Sequence, residues 1–197
     1  MIAESADEHP ARWASLPDLK QPFALFFPES PKLPGVEALG QWATQLRALN
    51  IHQALYAEEV RALARLSQLQ RLAVDIDSRL TDDDLRDFAN LTELRWLEFH
   101  YNISEPILRA VARLPRLETL ILNTCWEISE GMTKEIASCP QLCALEFGDA
   151  AKLHVAHLKG ITGMKLTRLA VPTETTDAEI KGLQQTMPSC DVSRRQG

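Results

Sequence analysis

Six times the chain sets down a leucine, a second leucine three residues on, and a third apolar residue two beyond that. The first column is Leu46, Leu69, Leu94, Leu117, Leu142 and Leu166; the second is Leu49, Leu72, Leu97, Leu120, Leu145 and Leu169; the third is Ile51, Val74, Phe99, Leu122, Phe147 and Val171. Apolar residues spaced by two mark a strand with one buried face. Successive first leucines are 23, 25, 23, 25 and 24 residues apart, too few for a unit to bury that face alone. Each copy must therefore cover the next, and the chain reads as a stack.

After each strand comes a loop of variable length and then helix-start signals. Thr81 precedes a run of three aspartates ending at Asp84, Ser104 precedes Glu105 and Pro106, and Thr176 to Glu179 has the form of a capping box. Apolar residues follow at helical spacing, as in Leu85 and Phe88, Ile107 and Val111, Met132 and Ile136, and Ile180 and Leu183. The unit is strand, loop, helix. Stacking about six of them predicts an α/β solenoid, a short horseshoe with a concave parallel sheet and convex helices.

LETLILNTCWEIS, with Leu117, Leu120, Leu122, Cys125, Ile128 and Ser129 in place, resembles the cysteine-containing leucine-rich repeats of F-box-type substrate receptors and of many bacterial repeat proteins. The end of the chain, where Met187, Pro188, Cys190 and Val192 fall in sequence, resembles the closing cap of the bacterial kind, with Met187 in place of a leucine. The resemblance covers about residues 36–192 and implies the leucine-rich-repeat fold. It is nearly silent on activity, because function lives in sites grafted on a fold.

The ends differ from the middle. Residues 1–35 carry six prolines around one apolar burst, Phe23 to Phe27, which we expect to form an extra strand sealing the repeat at Leu46 to Ile51. Residues 36–192 form the repeat domain and 193–197 a polar tail. The opening MIAESADEHPARW lacks the features of a secretory leader, and no apolar run has the length of a membrane span; a cytoplasmic location is the expectation. A net charge of −6 disfavours nucleic acid and anionic membrane as partners, since both need a basic face.

Few residues suggest chemistry. Cys139 shares the column of Leu66, Leu91 and Leu114, and Cys190 that of Leu117, so both are expected as small buried hydrophobes. Cys143 lacks a second pair to complete a zinc site. His154 and His157 lack the acid of a zinc-protease motif and read as part of a solvated convex helix. Serine-hydrolase, Walker and dinucleotide signatures are absent from the sequence. No enzyme, metal or cofactor is expected.

The residues between the buried leucines face the concavity. Arg71, Trp96, Thr119 and Arg168 share one column, and Glu98, Ile121 and Glu146 a second. His52, Asp75, His100, Asn123 and Gly148 make a third. From these we expect a partner-binding patch of Trp96, Glu98, His100, Tyr101, Ile121, Asn123, Trp126, Glu146, Asp149 and Asp75, aromatic anchors ringed by acids. His52 and His100 stand two rungs apart, about 10 Å, too far to share an ion. Convex Arg61, Arg65, Arg86, Arg109 and Arg113 offer a second, basic surface.

The expected function is a non-catalytic scaffold, monomeric when unbound, that captures a basic protein on this face, in one version as an immunity or antitoxin-type inhibitor. The alternatives are a substrate-receptor module of a ubiquitin-ligase-like assembly, or an injected bacterial effector.

Overall fold

The structure, a computed structural model, describes residues 21–27, 39–40, 43–101, 103–125, 127–148 and 153–195. Among these, eight strands lie in chain order in one parallel sheet: β1 (Phe23–Phe27), β2 (Leu46–Leu55), β3 (Arg71–Ile76), β4 (Trp96–Phe99), β5 (Thr119–Leu122), β6 (Ala144–Phe147), β7 (Arg168–Val171) and β8 (Asp191–Arg194). Each inner strand pairs with its predecessor and its successor in the chain, and β1 and β8 form the edges, the arrangement of an α/β leucine-rich-repeat solenoid. All three apolar columns are buried, none of their residues being more than 4% exposed. Each such side chain contributes roughly 1.5–3 kcal/mol, and Phe88, Phe99 and Phe147 are the largest wholly buried ones.

Four repeats return through α-helices: α1 (Ala57–Leu63), α2 (Glu105–Val111), α3 (Glu130–Ala137) and α4 (Asp177–Thr186). Two others return through 3₁₀ turns, Arg86–Asn90 and Val155–Ile161, where a helix start at Thr81 and a helix bearing His154 and His157 were expected to be of the ordinary kind. Leu85, Phe88 and Leu91 follow each other at intervals of three, as do Val155, Leu158 and Ile161, a spacing that a 3₁₀ turn lines up on one face; Val60, Leu63 and Leu66 keep the same steps at α1, so the spacing permits the 3₁₀ turn without dictating it. In α3 the buried pair Met132 and Ile136 is four apart, which suits 3.6 residues per turn.

The capping signals act largely as read. Thr176 and Glu179 form a reciprocal box, Ser129 accepts from the Met132 amide at 3.1 Å, and Asp84 accepts from the Thr81 amide at 3.0 Å. Ser104 precedes α2 but its hydroxyl makes no cap bond.

His157 is not solvated. Its Nδ1 lies 2.7 Å from the Ile128 carbonyl oxygen and its ring meets that of His154 edge-on, because the 3₁₀ turn packs it against the preceding repeat. Three of the five convex arginines are paired, Arg61 with Asp84 and Arg109 with Asp82 and Glu135 between repeats and Arg86 locally with Asp83, whereas Arg65 and Arg113 are exposed and form no ion pair among the described residues; Arg116 also pairs between repeats, with Glu93. Exposed pairs of this kind are worth about 0–1 kcal/mol each; their effect is on surface charge more than on stability.

At the first repeat β1 adds to β2 in parallel, Leu25 opposite Leu49 and Phe27 opposite Ile51, so the apolar burst does seal that end of the described core. The rest of residues 1–35 lies outside the described residues. At the other end Met187, Cys190 and Val192 are buried, and the strand runs on through Ser193 to Arg194.

Candidate functional site

Registers across β3 to β7 place the concave columns as the alternation demands. Arg71, Trp96, Thr119, Ala144 and Arg168 are successive partners, and so are Ala73, Glu98, Ile121, Glu146 and Ala170. Arg71 lies over the Trp96 ring, 4.3 Å from its centroid, a cation–π contact that holds the indole against the sheet. Ile121, between Glu98 and Glu146, is only 8% exposed and forms a floor rather than a projecting anchor.

The carboxylates have different fates. Glu146 is ion-paired with Arg168 at 3.1 Å. Glu98 accepts a hydrogen bond from the Asn123 side-chain amide and its Oε1 is 3.8 Å from His100 Nε2. Asp75 is 2% exposed, with Oδ1 at 3.5 Å from His100 Nδ1, too long for a good hydrogen bond. Burial pushes the Asp75 carboxyl up to about 6, opposed by the nearby His52 and by the amides of His100 and Tyr101. Burial also lowers the His100 imidazole, with His52 acting in the same direction and Glu98 against it.

The expected 10 Å gap between His52 and His100 does not exist. Their rings stack 4.1 Å apart and 3° from parallel. The reason is a register shift in β2: Ile51 pairs with Val74 but Ala54 with Asp75, leaving His52 and Gln53 as two extra residues. A bulge of this kind bends its strand and re-aims a side chain, here toward β4. Closeness does not make a metal pair, because the in-plane lone pairs of parallel rings run parallel and cannot converge on one ion about 2 Å from each. On its other side His52 meets Phe26 of β1 edge-on at 6.1 Å.

The structure thus brings together Asp75, Glu98, His100 and Asn123, sets Trp96 and Ile121 beside them, and places Tyr101, 64% exposed, at the rim. Glu146 is drawn aside by Arg168. Trp126 and Asp149 lie outside the described residues. Sequence reading missed the contact of His52, whose signal is the two surplus residues between Ile51 and Leu55. It also missed the role of Arg71 and Arg168, although both stood in the column beside Trp96 and Glu146.

Gly148 closes the third column. A Cβ there would lie 2.0 Å from the Asn123 carbonyl oxygen, so the backbones of β5 and β6 must part to admit one. Gly148→Ala is expected to cost roughly 1–3 kcal/mol and to displace Asn123 from Glu98. Chemical denaturation with amide chemical shifts at Asn123 checks both; an unperturbed variant would show that the two strands separate freely.

No family model matches the sequence, and no curated protein matches it. Among solved structures, an internalin (inlF) from Listeria monocytogenes is similar at 14% identity, over 82% of this chain and 70% of that one, with a TM-score of 0.25. So loose a superposition carries no weight on ligand or activity. What the strand order, the repeat length and the buried columns establish by themselves is a leucine-rich-repeat solenoid.

Proposed function

We propose that the chain is a non-catalytic protein-binding scaffold that captures a basic protein partner on its concave sheet. The observation that carries this is a contrast in how acids are matched. On the convex side Asp82, Asp83, Asp84, Glu93 and Glu135 each meet an arginine. On the concave side, among the described residues, neither Asp75 nor Glu98 forms an ion pair with a lysine or arginine; their charged neighbours are imidazoles. Two carboxylates without a strong cation, beside Trp96 and Tyr101, suit a partner that supplies one.

Three of the four thiols, Cys143 being the partly exposed exception, support a binding role over a catalytic one. Burial pushes Cys139 up to about 12 and raises Cys125 and Cys190, the reverse of what a thiolate nucleophile needs. The buried Cys125 also suits the cysteine-containing repeat subtype. In the fuller reading the protein is a cytoplasmic monomer that holds a basic toxin-like partner in the manner of an immunity protein; the acidic net charge and the concave carboxylates support it.

Affinity co-purification from source lysate tests the reading, comparing wild type with a folded Trp96→Ala, Glu98→Lys variant by mass spectrometry. The expected result is a basic protein retained by wild type and lost by the variant. The same partners on both proteins would remove the concave patch as the site.

A further inference from the structure

We propose that the His52–His100 stack, with the Asp75 and Glu98 carboxylates around it, is a proton-operated switch by which the concave face holds a cationic partner at neutral pH and releases it on mild acidification. This rests on the concave face being the binding surface, and it adds how that binding is regulated.

The geometry comes first. The bulge in β2 carries His52 across β3 to stack on His100 of β4, directly beside the Asp75 carboxylate of the intervening strand. Around the stack, β1 contributes the uncharged Phe26, β3 Asp75, β4 Glu98, and β5 Asn123 on Glu98; the amide of the rim residue Tyr101 faces Asp75. Arg71 is committed to Trp96 and Arg168 to Glu146. Among the described residues the two imidazoles are the basic groups set against this pair of acids, while the Arg195 guanidinium reaches the end of the column at Gly148 and Asn123.

Asp75 Oδ1 and His100 Nδ1 are both buried, both without a hydrogen-bond partner, and 3.5 Å apart. A proton on either atom and a shift of a few tenths of an ångström would join them, so the two sites share their protons. Burial holds the carboxyl of Asp75 above its ordinary value and the imidazole of His100 below its own, and two sites in such close contact titrate as a unit. Two positive charges in face contact would repel, which limits the stack to one.

The consequence for binding follows by linkage. At neutral pH the Asp75 carboxylate adds a buried negative charge beside Glu98 and the ring stack. Acidification below about pH 6 neutralises Asp75, so the negative field toward the concavity is weakened. A cationic partner favours the deprotonated cluster and expels protons as it binds; the reciprocal is that protons expel the partner.

The test uses the full chain and a fluorescein-labelled octa-arginine peptide, with anisotropy read at pH 7.5 and pH 5.5 at constant ionic strength. Wild type is expected to bind about tenfold more weakly at the lower pH, a factor equivalent to about one pKa unit. His52→Phe keeps a flat ring in the stack but removes the imidazole from beside His100 and Asp75, and is expected to cut that ratio to about two. In parallel, ring resonances of isotope-labelled histidine should show a His100 titration curve that moves in Asp75→Asn. A peptide that depends on Trp96 and Glu98 yet binds equally at both pH values, a ratio unchanged in His52→Phe, or a His100 curve unmoved in Asp75→Asn, would each overturn the switch. Peptide binding indifferent to Trp96→Ala, Glu98→Lys, or absent altogether, would instead overturn the concave face as a site for cations, and the release with it.

Discussion

Phe99→Ala is expected to lower the unfolding free energy by about 3–5 kcal/mol, the range for removing a wholly buried phenylalanine. Phe99 is 0% exposed and lies between Val74 and Leu122 in the third column. Three repeats therefore lose packing at once, and a domain of this size has only about 5–15 kcal/mol of stability in total. The effect should be more than a shift in midpoint. A solenoid is held together by contacts between neighbouring repeats, so a cavity on β4 weakens the joint between the β1–β3 and β5–β8 sides of the sheet. Urea unfolding followed by circular dichroism should broaden toward two steps, whereas Arg86→Ala, which removes one exposed pair, should change stability by no more than about 0.5 kcal/mol. Equal losses for the two variants would mean that the apolar columns do not form one cooperative core.

That core was the most legible part of the molecule, for a physical reason. A strand with one buried face forces a period of two, and a stack of such strands forces the same residue types into the same columns. Leu49, Leu72, Leu97, Leu120, Leu145 and Leu169 could be assigned without knowing any contact. The return segments were less so. Leu85 and Phe88 read as helical, and the further step of three to Leu91 does not separate a 3₁₀ turn from an α-helix, since Val60, Leu63 and Leu66 take the same steps at α1. The concave site was legible as columns but not as contacts. Counting from Ile51 puts His52 on the next rung only if the register is constant, and the register shifts at that point. The acid partners of convex arginines were likewise hidden, since they lie 23 to 27 residues away in the chain.

Asp75→Asn is expected to make the protein more stable at pH 7.5, by about 2–3 kcal/mol, and to leave it nearly unchanged at pH 4. Asp75 has a folded-state carboxyl raised to about 6 from an ordinary value of 3.8, chiefly by burial. The folded protein therefore binds this proton more tightly than the unfolded chain does. Its contribution to stability is complete below the unfolded value, falls as pH rises from about 4 to about 6, and is lost above that. An asparagine has nearly the shape of the protonated acid, can still accept from the His100 and Tyr101 amides, and never acquires the buried charge. His100 works in the opposite sense, since its lowered value favours the folded state as pH rises; because it is coupled to Asp75, the difference curve reports the pair rather than Asp75 alone. Urea unfolding of both proteins at several pH values between 4 and 8 measures the difference curve. A gap that does not widen between pH 4 and pH 7 would mean that Asp75 is ionised without penalty in the fold. A gap that opens from about pH 4 and is complete just above pH 6 would show a buried carboxylate held on the concave face against the stability of the chain, as expected of a group kept for the proposed binding.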